Sequence, residues 1–133
     1  TKVFAHILTT SNHRPFTYPA GRFDMASGTG REGAVKYADW AIGRFMREAS
    51  KRPWFGQTLF VFVADHTSNG RGRTDLPPAN YRIPFILHAP GIVAPGRVAT
   101  TASQIDVGPT VLALLGVGYT SEFFGSDILA HGA

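Results

Sequence analysis

The feature that most constrains this chain is the apolar run TLFVFVADH, residues 58–66, which ends in an acid and a histidine. A short continuous apolar run bounded by turn signals is typical of a strand that helices cover on both faces, as in a parallel sheet. Ligands of open α/β sheets bind outside the carboxyl ends of strands, so Asp65 and His66 could share one metal ion or one proton transfer. The competing interpretation is that the pair only caps the following turn.

Composition limits the classes of protein to which the chain can belong. Its 133 residues are 44% hydrophobic and 17% charged, which predicts at most one globular domain. No apolar run approaches the ~20 residues of a membrane-spanning helix. The absence of cysteine leaves histidine and oxygen ligands for any metal. The net charge of +4 is scattered, so we expect no nucleic-acid partner, and an anionic small substrate explains the charge equally well.

The remaining patterns are those of further strands and of helices, which suits a sheet packed between helices. Short apolar runs typical of strands occupy residues 2–9, 83–89 and 98–103. Apolar residues at helical spacing occupy residues 31–51 and 105–115. Asp106 suits the first turn of the second helix, where amide groups and the helix dipole favour an acid. Long loops rich in glycine and proline cover residues 14–30 and 67–82.

Two of the predicted strands end in loops that contain histidine. His13 follows the first strand, and the pair Asp65 and His66 follows the apolar run described above. Because the carboxyl ends of parallel strands share an edge, we expect these residues on one rim of the sheet. Arg71 and Arg73 lie in the loop after His66, where guanidinium groups beside a metal favour phosphate or sulfate. Simple solvation is the competing explanation for each arginine.

Three ordered motifs resemble the carboxyl-terminal half of the sulfatase and alkaline phosphatase superfamily: VFVADHTS, YRIPFILHAPG and SQIDVGPTVLALLG. The upstream segment LTTSNHRPFTYP and the helix YADWAIGRFM resemble the lipoteichoic acid synthase and phosphoglycerol transferase branch most. The resemblance covers most of the chain. It implies that residues 1–133 are the carboxyl-terminal portion of one catalytic domain, an α/β/α sandwich with a mostly parallel sheet.

The resemblance also implies roles for the site residues. In this family a divalent ion is held by an acid, a threonine nucleophile, an aspartate and a histidine, and Asp65 and His66 match the last two. His13 matches a histidine that contacts the transferred phosphoryl group and not the metal. The acid and the nucleophile have no counterpart here, so we expect no catalytic nucleophile in this chain and no activity without the amino-terminal half of the domain. Mn²⁺ is the ion favoured by the family branch, although Mg²⁺ and Zn²⁺ also accept such a pair.

The expected function is metal-dependent phosphoryl transfer on an anionic phospholipid headgroup or a related ester. The resemblance further implies a membrane-anchored parent protein with this domain on the extracytoplasmic side, periplasmic or extracellular. Formylglycine-type sulfatases generally follow the strand aspartate with asparagine, whereas this chain has His66, which favours phosphate over sulfate. Two alternatives stay open: a sulfatase, and a noncatalytic binding or structural module that retains the fold.

Overall fold

Two helices and two strands make up the regular structure of the described chain. The structure is a computed structural model that describes residues 2–68 and 77–130. Its α-helices and strands there are α1 (Arg31–Ala49), β1 (Phe60–Val63), β2 (Phe85–His88) and α2 (Val107–Leu114), and short 3₁₀ turns occur at Phe55–Gln57, Pro78–Tyr81 and Gln104–Asp106. Neither helix in these ranges has the length and apolar character needed to cross a membrane. The chain divides into two units, Thr1–Phe55 and Gly56–Ala133.

In the first unit, Tyr18 attaches the long loop to α1. Its ring stacks on that of Tyr37 with centroids 4.8 Å apart, and its hydroxyl donates to the backbone oxygen of Ala26 at 2.9 Å. Gly33 is buried under this hydroxyl, and a Cβ at that position would lie 2.5 Å from Tyr18 Oη. A side chain at this position would therefore force the Tyr18 ring to shift away from the helix.

The helix α1 confirms the prediction made from the apolar spacing of residues 31–51. The same spacing predicts a buried apolar face, and this face is only partly covered. Ala34 and Ala49 are buried, whereas Val35, Ile42 and Phe45 are between 40% and 51% exposed. Periodicity therefore identified the helix correctly but overestimated how much of its apolar face is buried in the described chain.

Residues 2–9 do not form the buried strand that their apolar pattern predicts. They have no regular secondary structure, and Val3, Phe4, Ile7 and Leu8 are between 73% and 87% exposed. A strand requires a neighbour for its ladder of hydrogen bonds, and no strand of the described chain pairs with this segment. Residues 98–103 also lack regular structure. The strand predictions for both segments are therefore wrong.

In the second unit, β1 and β2 confirm the two central strand predictions. They pair in antiparallel register, from Phe60 opposite His88 to Val63 opposite Phe85. This pairing differs from the parallel neighbours that the apolar run predicts, and Ile86 remains 55% exposed. An antiparallel pair is compatible with a mixed sheet, which is common in α/β proteins. The structural comparison reported below confirms the predicted fold class.

A hydrogen-bonded 3₁₀ turn, Gln104–Asp106, precedes α2. The N–H of Ser103 donates to Asp106 Oδ2 at 2.7 Å, and the N–H of Asp106 donates to the oxygen of Ser103 at 3.0 Å. The N–H of Ser126 donates to Asp106 Oδ1 at 2.9 Å. These bonds satisfy amide groups near the helix start, which confirms the place predicted for Asp106 in the sequence.

The segment after α2 packs closely against this turn. The N–H of Ile128 donates to Oγ1 of the buried Thr110 at 3.2 Å. Gly125 lies so near the backbone of Ile105 that a Cβ at this position would overlap the Ile105 carbonyl group. Because backbone atoms cannot move aside as a flexible side chain can, glycine is required there.

The carboxyl group of Asp106 links the stability of this region to pH. The two N–H groups from Ser103 and Ser126 hold its pKa below the ordinary value of 3.8. A pKa lowered by folding gives stability that is present above the unfolded pKa and is lost as the pH falls through the lower folded pKa. We expect Asp106→Asn to lower the melting temperature at pH 7, and the difference from the unsubstituted protein to narrow below about pH 4.

Thermal unfolding followed by circular dichroism from pH 7 to pH 2.5 measures this difference. The exposed Asp39 on α1 offers a matched control, and Asp39→Asn should leave the melting temperature near that of the unsubstituted protein at neutral pH. A difference between Asp106→Asn and the unsubstituted protein that stayed constant over the whole range would contradict the pKa argument.

Candidate functional site

Asp65 and His66 follow the strand β1 and lie on the surface of the second unit. The strand ends at Val63, and after Ala64 the chain enters a turn that exposes both polar side chains. The side chain of His66 is 76% exposed and that of Asp65 is 71% exposed. The chemical role that the sequence predicts for this pair stays a prediction.

Hydrogen bonds to the backbone orient both side chains. Asp65 Oδ1 accepts the N–H of His66 at 2.9 Å. His66 Nδ1 lies 2.8 Å from the backbone oxygen of Thr67, and because a carbonyl oxygen can only accept, Nδ1 carries the hydrogen. In the neutral ring the lone pair is therefore on Nε2. Histidines that bind metals commonly donate their other ring N–H to a backbone carbonyl in this way.

The remaining donor atoms of the pair face each other. His66 Nε2 and Asp65 Oδ2 are 3.4 Å apart. Nitrogen and oxygen ligands bind a divalent ion such as Zn²⁺ at about 2.0–2.2 Å, so donors separated by less than about 4 Å can share one ion. The pair therefore fits a divalent ion as two of its ligands. Within residues 2–68 and 77–130, no three or more His, Cys, Asp or Glu side chains form a group that could hold a metal ion.

Side-chain hydrogen bonds attach the turn to its surroundings at two points. Gln104 Nε2 lies 2.9 Å from the oxygen of Ala64 and 2.7 Å from the oxygen of Asp65. On the other side, Thr67 Oγ1 donates to the backbone oxygen of Asn80 at 2.8 Å. Sequence reasoning did not identify Gln104. No local pattern could have done so, because the contact joins positions about 40 residues apart.

His13 belongs to the first unit and lies in a loop of two consecutive turns. Its N–H donates to the oxygen of Thr10 at 3.0 Å, and its oxygen accepts the N–H of Phe16 at 2.8 Å. The ring Nδ1 is 2.8 Å from the oxygen of Arg14, so Nδ1 carries a hydrogen and Nε2 is the ring atom that can face a ligand. Phe16 has a φ of 65°, a left-handed conformation that is uncommon for a residue with a side chain.

The structure brings together Asp65 and His66. The shared rim that we expected for His13 and this pair stays a prediction. Arg71 and Arg73 lie outside the described residues, so their predicted contact with an anion also stays a prediction. Arg82, from the same loop as these arginines, lines an open groove together with Asp65 and His66.

The comparisons with known proteins agree on one family. The sequence model of the Sulfatase family matches residues 1–117. The lipoteichoic acid synthase-like protein YvgJ of Bacillus subtilis (strain 168) is 27% identical over 151 residues, which cover 96% of this chain and 24% of that protein. Phosphoglycerol transferase I of Xanthomonas euvesicatoria pv. vesicatoria (strain 85-10) is 29% identical over 125 residues, which cover 92% of this chain and 18% of that protein.

The structural comparison gives the fold. The crystal structure of a protein in the alkaline phosphatase superfamily from Vibrio parahaemolyticus matches with a TM-score of 0.82 and 32% identity, covering 91% of this chain and 30% of that chain. This chain spans about a quarter of the length of the first curated relatives it matches. The family match extends over most of the sequence, and the structural match extends over most of the fold. The chain therefore belongs to the sulfatase family, with the fold of the alkaline phosphatase superfamily.

Proposed function

We propose that the protein containing this chain is a metal-dependent phosphoryl-transfer enzyme that acts on glycerol phosphate headgroups of anionic phospholipids. The proposal rests on one observation: Asp65 Oδ2 and His66 Nε2 lie 3.4 Å apart and face each other. The names of the relatives, lipoteichoic acid synthase-like protein and phosphoglycerol transferase, support a phosphate ester as substrate.

Asp65 and His66 act in this proposal as two ligands of the divalent ion, with Mn²⁺ as the preferred ion. The bound ion supplies Lewis acidity, which offsets charge on the phosphoryl oxygens and activates the nucleophile. Asp65 contributes a carboxylate whose Oδ2 faces His66 Nε2, while its Oδ1 accepts the N–H of His66. His66 binds as a neutral imidazole whose Nδ1 hydrogen is held by the oxygen of Thr67.

His13 binds the phosphoryl group in the same proposal. When the ring is protonated, Nδ1 keeps its hydrogen bond to Arg14 and Nε2 can donate to a phosphoryl oxygen. A donor aimed at charge that develops in the transition state lowers the barrier more than it strengthens substrate binding. Arg82 in the groove, together with Arg71 and Arg73, adds positive charge that attracts an anionic substrate.

The nucleophilic threonine and a further acidic ligand come, in this proposal, from parts of the protein outside this chain. Two observations support this: the pair supplies only two ligands within the described ranges, and the relatives are about four times longer than the aligned segment. We also propose that the parent protein is anchored in the cell membrane, with this domain on the extracytoplasmic side, where it meets lipid headgroups.

Hydrolysis of a sulfate ester is the second candidate function, because the matching family model is that of the sulfatases. Sulfate and phosphate esters present similar tetrahedral anions, so a metal ion and a cationic groove suit both. The histidine that follows Asp65 favours phosphate, since formylglycine-type sulfatases generally have asparagine at the matching position.

A comparison of two substrates tests the proposal in the full-length protein. We expect the Mn²⁺-loaded protein to release or transfer glycerol phosphate from phosphatidylglycerol vesicles, and to hydrolyse an aryl sulfate more slowly. Chelation should stop the reaction, and added Mn²⁺ should restore it. Faster cleavage of the sulfate ester would identify a sulfatase. Metal binding without turnover of a panel of phosphate and sulfate esters would favour a noncatalytic module.

A further inference from the structure

We propose that Gln104 is a positioning residue for the pair formed by Asp65 and His66. It is not a ligand itself, and it acts by fixing the backbone from which the Asp65 side chain extends. This inference rests on the proposed role of the pair in binding a divalent ion.

The geometry of the contact is specific to the Asp65 backbone. Gln104 Nε2 lies 2.9 Å from the oxygen of Ala64 and 2.7 Å from the oxygen of Asp65. Both partners are carbonyl groups, which only accept, so the amide is oriented with its nitrogen toward them and uses its two hydrogens there. These carbonyls belong to the two peptide groups that flank the Asp65 Cα. A single amide therefore restrains both backbone dihedrals of Asp65 and with them the direction of its Cβ.

The pairing of β1 with β2 ends just before this part of the turn. The register of β1 ends at Val63, and the next backbone contact is from the N–H of Ala64 to the oxygen of Pro84 at 3.3 Å. The side chains of Asp65 and His66 are mostly exposed, so packing contributes little to their orientation. Gln104 therefore contacts the chain just beyond the last residue pair of the two strands.

Gln104 is itself held in a defined position. It begins the 3₁₀ turn before α2, where Ser103 and Asp106 exchange two hydrogen bonds. Gly125 packs against the next residue of this turn, Ile105. The side chain therefore extends from a fixed backbone to the Asp65 turn, as a residue that supports a ligand must.

The test compares variants of the full-length protein by calorimetric titration with Mn²⁺. Gln104→Met has a similar length and no charge but cannot donate, and we expect it to bind Mn²⁺ about 10–100-fold more weakly, as is typical when a partner of a metal ligand is lost. Gln104→Glu adds a negative charge that favours a cation by simple attraction. Weaker binding in this variant too would support positioning, because added charge alone predicts the opposite.

Two controls separate positioning from general effects. Gln57→Met changes an exposed glutamine in the 3₁₀ turn Phe55–Gln57 and should bind Mn²⁺ as the unsubstituted protein does. Ala34→Gly places a glycine at a buried position of α1, where glycine lowers helix stability, so it should lower the melting temperature without changing Mn²⁺ affinity. Equal weakening of Mn²⁺ binding in Ala34→Gly and Gln104→Met would overturn the positioning role, because destabilisation alone would then explain both.

The unsubstituted protein and His66→Ala distinguish failure of this inference from failure of the proposed function. If the unsubstituted protein binds Mn²⁺, His66→Ala does not, and Gln104→Met binds normally, then the positioning role is wrong and the metal site stands. If His66→Ala binds Mn²⁺ as tightly as the unsubstituted protein, the pair is not the metal site, and both proposals fall.

Discussion

Replacing His66 with alanine in the full-length protein is expected to remove the bound divalent ion and to abolish turnover while the fold survives. Nε2 of this ring faces Asp65 Oδ2 at 3.4 Å, so the substitution removes one of the two ligands that we propose among the described residues. A metal ion contributes several kcal/mol of charge stabilisation in the transition state, which corresponds to ~10³-fold or more in rate. The side chain is 76% exposed, so its loss should cost little packing.

Elemental analysis of the purified protein measures metal content, and turnover of phosphatidylglycerol measures activity. His6→Ala is a matched control because this histidine is also exposed, and it should retain both metal and activity. Asp65→Asn, which keeps the size of the side chain, should behave as His66→Ala does. Unchanged metal stoichiometry in His66→Ala would remove the pair from the metal site.

Replacing His13 with alanine is expected to separate catalysis from metal binding. Its Nδ1 is engaged by the oxygen of Arg14, which leaves Nε2 to donate to a phosphoryl oxygen when the ring is protonated. Loss of a comparable donor to transition-state charge typically costs ~10²-fold or more in turnover. Metal content should stay near that of the unsubstituted protein, because a contact to the substrate can be lost without disturbing the ion.

The control for His13→Ala is again His6→Ala, which lies in the same unit and should leave turnover unchanged. Steady-state kinetics and elemental analysis of the same protein preparations provide both measurements. If metal disappears together with activity, His13 is a ligand of the ion. If neither quantity changes, His13 is a loop residue without a catalytic role.

Local sequence signals predicted the elements of the second unit that lie next to Asp65, His66 and Gln104. The apolar run before Asp65 contains β1, and the apolar spacing over residues 105–115 predicted α2. The acid at Asp106 correctly marked the turn before that helix, because amide groups at a helix start are satisfied by nearby side chains. These predictions succeeded because each depends on residues that are neighbours in the chain.

Features that depend on partners far away in the chain could not be predicted from local sequence. An apolar run indicates that a segment suits a sheet but does not supply a neighbouring strand, which is why residues 2–9 and 98–103 were wrongly predicted as strands. Gln104 was missed for a related reason, since its two acceptors lie about 40 residues earlier. The proximity of Asp65 and His66 could be predicted because the two residues are adjacent in the sequence.

The close packing of Gly125 provides a criterion for interpreting relatives that diverge from this sequence. A side chain there would overlap the Ile105 carbonyl group, so selection for folding alone should retain the glycine. Asp65 and His66 are exposed and face no such demand, so only selection for chemistry should retain them. A homologue with the glycine but without the acid and histidine is therefore expected to be a pseudoenzyme that has kept this architecture after losing its reaction.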